Sequence, residues 1–574
     1  MIRAWQAGSY GRGAGAATVG VCCLSMFMIA VDTTVVNLAL PLIGRGLHAP
    51  VSGLQWIIAA YTITTAGLML TSGSVGDRFG RGTVLQAGLA VFTLASAGCS
   101  LAPSTGWLIA FRALQGAGGS ALTPMSMGIL TATFSDPAAR ARALGLWSGT
   151  FGLGMSVGPA LGGLLAAAWG WRSLFWITIL PGLLAMVLAG LVIPDSRAAR
   201  PRRLDLPGQV LVIALLASLT YGIIEGPSAG WRSPHILAVF ATSAAALVLL
   251  IGWEHRCADP LIELRAFGSI PFTSALVITV CAFACLGGFL FLTTLYLQDV
   301  YGLTVWQAGM QLIPLAAATA VAGPVAGRVM ARRGSRKPLT LAGAALAVSC
   351  LLLGQLPPTA CWVFLAAIYV VFGAGYGAVN TVIAAVAVAG LPRAQAGVAG
   401  GMTSASRQVG QSLGVSAVGS ILASGLRGPV SAGFAAASRP AWLLITACGV
   451  AVLLLSLVST SKWAVRTARE RSVAATPGTA LRPASLRAGR PLAPPFPPAP
   501  EWWRAAPAQP APASAFAEAA TMPMSRVLYA RLRDQARTPP IELHHDRNPA
   551  SRTSRDDGEP RRPAASQSKR KEMR

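Results

Sequence analysis

The sequence predicts an all-α, polytopic membrane protein with about fourteen membrane-spanning helices. Of its 574 residues, 53% are hydrophobic and only 11% are charged, whereas soluble domains carry about 25% charged residues. Apolar runs long enough to cross a bilayer follow one another at short intervals. Arg and Lys are concentrated in alternate loops between these runs, as expected for a chain that crosses a membrane repeatedly.

The first apolar run, Thr18–Leu42, contains a single charged residue, Asp32. Residues 1–17 offer no strong small-residue cleavage site, so the run is predicted to be a retained helix and not a cleaved signal peptide. A carboxylate costs a few kcal/mol to place within hydrocarbon. Asp32 should therefore face a bundle interior or a watery cavity; the alternative is an interfacial residue that snorkels towards water.

Thirteen further spans are predicted after the first. They are Leu54–Val75, Val84–Leu101, Trp107–Thr131, Ala143–Trp169, Ser173–Ile193, Leu206–Ile224, Ile236–Trp253, Phe272–Leu297, Ala308–Met330, Leu339–Leu356, Cys361–Ala387, Gly401–Leu422 and Pro440–Val458. The basic loops carry Arg78 and Arg81, Arg140 and Arg142, Arg197 to Arg203, Arg256 and Arg265, Arg332 to Lys337, and Arg393. Because basic loops face the cytoplasm, both termini are predicted to be cytoplasmic.

Residues 462–574 are rich in Pro, Ala, Arg and Ser and are predicted to be a disordered, basic cytoplasmic tail. The tail either associates weakly with anionic lipid or has no specific role. The net charge of +26 would suggest nucleic acid as partner of a soluble protein. Here the basic residues lie in loops and tail, so membrane lipid is the expected partner and nucleic acid is not. The nine cysteines lack metal-ligand spacing, so neither a metal site nor a disulfide framework is predicted.

A short charged loop follows the second span and is repeated in the second half of the chain. The first copy runs from Gly73 to Arg81 and contains Asp77, Arg78 and Gly80. The second copy, 327–334, aligns glycines and an arginine with the first but has Ala331 where the first has Asp77. An internal repeat about 250 residues apart predicts two structurally related halves, which is the plan of many secondary transporters.

Two further spans contain unusual residues. Arg112 lies within the apolar fourth span with Gln115 one turn away. An arginine within a span is expensive, which favours a functional role over a structural pairing with carbonyl groups. The fifth span carries repeated small residues and one proline, which permit close packing and a bend that changes during transport, or a static packing face. These residues are Gly154, Gly158, Pro159, Gly162 and Gly163.

Together these motifs resemble the major facilitator superfamily, specifically its 14-helix drug:proton antiporter family. Gly73–Arg81 resembles the signature loop between helices 2 and 3, although Gly82 replaces the usual basic residue. The segment 112–116 resembles the helix-4 motif linked to proton coupling, and 154–163 resembles the helix-5 antiporter motif. The segment 32–41 is similar to the helix-1 motif of the 14-helix family. In the sixth span, Thr178 stands where the family often has Asn.

The resemblance implies a major facilitator fold with two six-helix bundles, at 18–193 and 266–461. Two additional central helices would lie in a linker, 194–265, between the two bundles. A cytoplasmic N-terminus, 1–17, would precede the first bundle, and the tail, 462–574, would follow the second. Alternating access would then expose a central cavity to each side of the membrane in turn.

The resemblance also implies residue roles. Asp32 is the leading protonatable group and Arg112 the second coupling group. The predicted cavity walls are Asn37, Gln55, Trp56, Tyr61 and Gln115, although Trp56 is equally well explained as an interfacial residue. Asp77, Arg78 and Arg81, with Gly73 and Gly80, would latch the two halves on the cytoplasmic side, and the glycines and proline of the fifth span would form a hinge.

The function implied is proton-coupled export of lipophilic or cationic drugs through the plasma membrane. The alternatives are export of an endogenous metabolite or lipid precursor, and a facilitator or importer of the same fold. The proton gradient would be the energy source without a cofactor, and the protein would work as a monomer. Few acidic residues lie along the pathway, which favours monocations or neutral lipophiles over dications. An enzyme is not expected, because the five histidines are dispersed, and no ATP-binding P-loop occurs.

Overall fold

The computed structural model describes residues 12–197, 204–257, 260–356, 360–389, 391, 396–426, 428, 430–461 and 464. Within these ranges the regular structure is helical. The α-helices are α1 (Arg12–Leu47), α2 (Val51–Phe79), α3 (Arg81–Leu101), α4 (Thr105–Thr133), α5 (Pro137–Trp169), α6 (Trp176–Val192), α7 (Leu206–Ala229), α8 (Pro234–Glu254), α9 (Ile270–Leu295), α10 (Val305–Gln311), α11 (Ile313–Arg333), α12 (Arg336–Leu353), α13 (Trp362–Ala389), α14 (Ala396–Gly425) and α15 (Val430–Ser459).

The predicted fold class is confirmed. Twelve stretches of helix in the described ranges are long and apolar enough to cross a membrane. The helices α4 and α14, with 29 and 30 residues, are not among them, and they bring the long helices to the predicted fourteen. These two helices are the ones that carry Arg112 and Arg407. The predicted tail lies outside the described residues apart from Ala464.

The tenth predicted span, Ala308–Met330, is two helices and not one. The short helix α10 ends at Gln311, and α11 begins at Ile313 with Pro314 in its first turn. Proline has no backbone N–H, so the helical hydrogen-bond ladder cannot continue through it. Thr304 and Gln307 form a capping box at the start of α10, which fixes where the short helix begins.

The packing of helices repeats between the two ends of the sequence. α1 packs on α5 as α9 packs on α14, α2 packs on α4 as α11 packs on α13, and α3 packs on α6 as α12 packs on α15. The helices α1–α6 and α9–α15 are therefore referred to as the N-terminal and C-terminal halves. α7 contacts both α2 and α14, and α8 packs on α7. The halves meet where α2 contacts α14, where α5 contacts α10 and α11, and where α1 contacts α9.

Both copies of the charged loop place a glycine with a positive φ directly after a helix. Gly80 follows α2 with φ 109°, and Gly334 follows α11 with φ 78°. Glycine adopts a positive φ at no steric cost, which explains why both copies have glycine there. Since successive long helices alternate in direction, both turns lie at one end of the bundle. That end is called the basic end below, and the other is called the opposite end.

Candidate functional site

A buried ion pair joins α1 to α4. Nη1 of Arg112 donates to both carboxylate oxygens of Asp32, at 3.0 and 2.8 Å. The two side chains are 2% and 1% exposed. Nε2 of Gln115 donates to Oδ1 of Asp32 at 2.9 Å. The structure therefore places Asp32 in the bundle interior and brings three predicted site residues into direct contact.

The network continues from this pair to three other helices. Nε of Arg112 donates to the carbonyl of Ile57 at 3.1 Å, on α2. Gln115 also donates to Ser96 on α3, whose hydroxyl is 3.1 Å from that of Thr178 on α6. Ser96 is a member that the sequence did not single out. Five of the six helices of the N-terminal half thus contribute to one polar network.

The Arg112 guanidinium also lies over the ring of Tyr61, with 4.4 Å between Cζ and the ring centroid. A buried cation and a buried anion each carry a large desolvation cost, which their mutual attraction offsets only when the hydrogen bonds are well made. Here the pair is neutral as a whole and well hydrogen-bonded. Removing either charge alone would leave the other buried without compensation.

Close helix packing positions Arg112. A Cβ on Gly116 would lie 3.1 Å from Cα of Tyr61, and Thr65 donates to the Gly116 carbonyl at 3.1 Å. A Cβ on Gly118 would lie 3.0 Å from Cα of Phe92 on α3. The glycines after Arg112 therefore let α2 and α3 approach α4 closely.

The glycines of α5 form a strip against α1. A Cβ on Gly154 would lie 2.7 Å from Cβ of Ala30, one on Gly158 would meet the Thr34 hydroxyl, and one on Gly162 would lie 2.9 Å from Val35. The strip spans the turns of α1 on either side of Asp32. It is a packing face in this structure, and its predicted role as a hinge stays a prediction.

The neighbouring residues of the same motif contact the other half. A Cβ on Gly163 would lie 2.7 Å from Cα of Trp306, on α10. The carbonyl carbon of Pro159 would lie 3.1 Å from a Cβ on Gly309, also on α10. One stretch of α5 therefore packs against the helix that carries Asp32 and against the C-terminal half.

A small central cavity, about 20 Å³ in volume, lies between the two halves. Thr34, Leu38 and Pro159 line it from the N-terminal half, and Leu290, Thr319 and Tyr376 are among the residues from the C-terminal half. Its described lining holds no charged side chain. Thr34 is two residues from Asp32, so the ion pair lies behind the cavity wall and not in it.

The five residues predicted to line the cavity are not in the described lining of the central cavity. Tyr61 and Gln115 contact Arg112, as described above. Asn37 is buried, and its Nδ2 donates to the carbonyl of Thr33 at 2.7 Å. Nε2 of Gln55 donates to the carbonyl of Ser416 at 2.7 Å, across the two halves.

Trp56 contacts one of the two added helices. Its Nε1 donates to Oε1 of Glu225 on α7 at 2.9 Å, and its ring centroid lies 5.9 Å from that of Tyr221. Glu225 was not predicted, because an acidic residue near a helix end carries no signal of its partner in the sequence. Trp56 thus faces α7 in this structure and not the central cavity.

The charged loop is tied down within the N-terminal half. Nη2 of Arg81 pairs with Asp77 at 2.9 Å, and its Nη1 donates to the carbonyl of Gly128 at 3.2 Å. Asp195, after α6, accepts hydrogen bonds from the backbone N–H and the hydroxyl of Thr83. The remaining loop residues, Arg78 and Gly73, are exposed and partly exposed respectively. The contacts found here join parts of one half, so a latch between the halves stays a prediction.

At the opposite end, the two halves exchange hydrogen bonds. Gln55 reaches Ser416 in the C-terminal half, and Nε2 of Gln298 donates to the carbonyl of Leu38 at 2.6 Å in the N-terminal half. Arg45 pairs with Asp299 at 3.8 Å. The direct polar contacts found between halves therefore lie on this side of the central cavity.

Two related helical halves with a neutral cavity between them and a buried ion pair beside it define a multi-pass membrane transporter. The chain belongs to the Major Facilitator Superfamily, whose family model matches residues 22–415. It is 34% identical over 403 residues to the multidrug resistance protein Stp of Mycobacterium tuberculosis (strain CDC 1551 / Oshkosh), covering 70% of this chain and 75% of that protein.

Two relatives from Streptomyces are similarly close. The tetracenomycin C resistance and export protein of Streptomyces glaucescens is 34% identical over 415 residues, covering 72% of this chain and 77% of the relative. The methylenomycin A resistance protein of Streptomyces coelicolor (strain ATCC BAA-471 / A3(2) / M145) is 36% identical over 400 residues, covering 69% and 83%. The predicted family is confirmed, and these relatives are drug and antibiotic resistance proteins.

Solved structures share the fold. A bacterial homologue of the human lysosomal transporter Spinster, in an inward-facing and unoccupied conformation, has a TM-score of 0.57 at 17% identity, covering 80% of this chain and 99% of that one. A D-xylose–proton symporter has a TM-score of 0.55 at 17% identity, covering 78% and 97%. At this identity the likeness extends to the fold alone.

Proposed function

We propose that this protein exports drug-like small molecules through the plasma membrane in exchange for protons, by alternating access. The observation that carries the proposal is the buried network of Asp32, Arg112 and Gln115. A carboxylate and a guanidinium at this depth are costly, and such residues commonly belong to proton relays or substrate pathways. The names of the curated relatives support drugs or antibiotics as the exported compounds.

Protonation of Asp32 is the proposed coupling step. A proton on Asp32 removes its charge, so Arg112 loses the partner that offsets its burial. Arg112 keeps the Ile57 carbonyl, Gln115 and the Tyr61 ring, which hold it in place. The bond between α1 and α4 is weakened, and α1 is free to move against the glycine strip of α5. Release of the proton on the other side restores the pair.

The proton gradient is the proposed energy source, and no cofactor takes part. The basic end is proposed to face the cytoplasm, with both termini on that side, because basic loops are retained there. The polar contacts at the opposite end support a state closed on the outside. One chain contains both halves and the cavity, which supports function as a monomer.

The neutral lining of the cavity supports monocations or neutral lipophiles as cargo. A dication would favour a second carboxylate in the lining, and the described lining has none. Aromatic and aliphatic walls suit flat, lipophilic compounds. Membrane lipid surrounds the bundle and is the other expected partner.

The proposal is tested by ethidium efflux from a pump-deficient host, with and without an uncoupler, in wild type and Asp32→Asn. Wild type should export ethidium only while the gradient exists, and Asp32→Asn should abolish this export. Asp136→Asn is the matched control, because Asp136 is an exposed N-cap that asparagine replaces well. Uncoupler-insensitive export that Asp32→Asn leaves unchanged would overturn proton antiport. Inward accumulation would indicate an importer or facilitator.

A further inference from the structure

The C-terminal half also holds an arginine within a membrane-spanning helix, and this one has no counter-ion among the described residues. Arg407 on α14 is partly buried, and its Nε has no hydrogen-bond partner among the described residues. The ion pairs found in the described ranges involve other arginines. Its described neighbour is the ring of Phe283, with 5.6 Å from Cζ to the ring centroid. An unpaired cation in this position is destabilising unless something else binds it.

An aromatic contact links Arg407 to the central cavity. The ring centroid of Phe283 lies 5.4 Å from that of Tyr376, and Tyr376 lines the cavity. Tyr376 is 1% exposed, and its hydroxyl has no hydrogen-bond partner in the described part of the chain. The Nε of Arg407 and the hydroxyl of Tyr376 therefore lie on the same side of the cavity, both without a partner among the described residues, with Tyr376 in the cavity wall and Arg407 beside Phe283 outside the described lining.

Asn380 extends this polar surface towards the basic end. It follows Tyr376 by one helical turn, so both lie on one face of α13. Its Oδ1 is buried without a partner among the described residues. In the N-terminal half, by contrast, the polar groups of Arg112, Gln115 and Ser96 are bonded to each other.

Arg407 lies within α14 and not at its end, roughly 16 Å along the helix from Ala396 at a rise of about 1.5 Å per residue. Lipid headgroups are expected near the helix ends, which favours an anion in the central cavity as the counter-ion, and the neutral described lining offers no competing carboxylate.

We propose that Arg407, with the hydroxyl of Tyr376, binds an acidic group, a carboxylate or a phenolate, at the basic-end side of the central cavity, so that lipophiles bearing one such group are exported besides monocations and neutral compounds. Phe283 supports the guanidinium and packs against the aromatic part of the compound. A guanidinium bonded to an anionic oxygen forms a charge-assisted hydrogen bond, about twice as strong as a neutral one. This inference rests on the proposed function, because it takes the cavity to be the path of exported compounds.

The test compares two probes that differ in one charge, pyrenebutyrate and its methyl ester. Their affinities for the purified, detergent-solubilised full chain are measured by fluorescence anisotropy. Wild type should bind the acid about tenfold more tightly than the ester. Arg407→Gln should abolish this preference, so that acid and ester bind with about equal affinity, and Arg407→Lys should retain part of it. Arg328→Gln is the matched control, because Arg328 is an exposed arginine on α11, and it should keep the full preference.

Equal affinity of wild type for acid and ester would overturn the inference without any variant. So would a preference that survives in folded Arg407→Gln, with folding checked by size-exclusion chromatography. Should Arg407→Gln fail to fold, Arg407→Lys and Tyr376→Phe carry the test, and an undiminished preference in both would contradict it. The outcome is separable from the proposed function: uncoupler-sensitive ethidium export without an acid preference removes this inference alone. An acid preference without proton-driven export removes proton antiport alone.

Discussion

Each half of the transporter places one arginine against an aromatic ring within the membrane, but the two arginines differ in their partners. Arg112 has an anion, an amide, a carbonyl and the Tyr61 ring around it. Arg407 has the Phe283 ring and an Nε without a partner in the described ranges. The polar groups around Arg112 are therefore bonded within the N-terminal half, which we propose responds to a proton, whereas Arg407 has an unpartnered Nε in the described ranges, for which we propose an external anion.

The largest expected effect is a difference in stability between variants of the two arginines. Arg112→Gln leaves Asp32 buried without a cation, so we expect the free energy of unfolding to fall by about 3–5 kcal/mol. Arg407→Gln removes an unpaired charge, so we expect a change within about 1 kcal/mol, or a gain in stability. The measurement is unfolding of the purified protein in mixed micelles by titration with SDS.

The double variant Asp32→Asn/Arg112→Gln is the control for this comparison. It removes both charges, so it should recover most of the lost stability while proton-driven export stays absent. A loss of stability in Arg407→Gln as large as that in Arg112→Gln would show that Arg407 already has a strong partner within the protein. The proposed difference between the halves, with Arg112 paired and Arg407 unpaired, would then be contradicted.

The sequence predicted more of the fold than of the site. Spans and loop charges are local signals, and the repeat of Gly80 at Gly334 marked the two halves before any contact was known. The break between α10 and α11 also had a local signal in Pro314. Asp32 and Arg112 were identifiable because a charge within an apolar run is costly wherever it lies.

The partners of these residues had no such signal. The contact between Asp32 and Arg112 depends on which face each helix turns to the other, and one sequence does not specify that. The same holds for Trp56 with Glu225 on α7, and for Gln298 with the Leu38 carbonyl. Arg407 was not among the predicted site residues, and only the packing of α9 and α13 around it shows that it has no counter-ion among the described residues.

The helix contacts made by glycines give the next prediction. In the C-terminal half, a Cβ on Gly414 would lie 2.6 Å from Cα of Ala284, whereas one on Gly158 would meet the side-chain hydroxyl of Thr34. Backbone atoms move less readily than a hydroxyl that can rotate. Gly414→Ala should therefore destabilise the protein by about 2–3 kcal/mol and Gly158→Ala by about 1 kcal/mol.

The same SDS titration measures this difference. Gly149→Ala is the control, since a Cβ there has no heavy atom within 4 Å, and alanine should be neutral or slightly stabilising in a helix. Equal losses at Gly414 and Gly158 would contradict the expectation that a Cβ facing backbone atoms costs more than one facing a hydroxyl.

A smaller effect concerns the two glutamines that donate hydrogen bonds from one half to the other at the opposite end. Gln55→Ala and Gln298→Ala each remove one hydrogen bond between the halves. Each should therefore destabilise the state closed at the opposite end by about 1 kcal/mol. Hydrogen–deuterium exchange should rise near Ser416 for the first variant and in the second half of α1, around Leu38, for the second. Gln355→Ala, at an exposed position, is the control and should change neither region.

The smallest expected effect distinguishes the ring of Tyr61 from its hydroxyl. The hydroxyl has no hydrogen-bond partner in the described structure, whereas the ring lies under Arg112. Tyr61→Phe should therefore change the free energy of unfolding by less than about 0.5 kcal/mol, and Tyr61→Leu should lower it by about 1 kcal/mol or more. In the C-terminal half, Tyr376→Phe should be equally mild in stability yet lower the preference for pyrenebutyrate over its ester about two- to threefold. If Tyr376→Phe left that preference intact, the Tyr376 hydroxyl would have no part in binding the acid, and Arg407 alone would account for it.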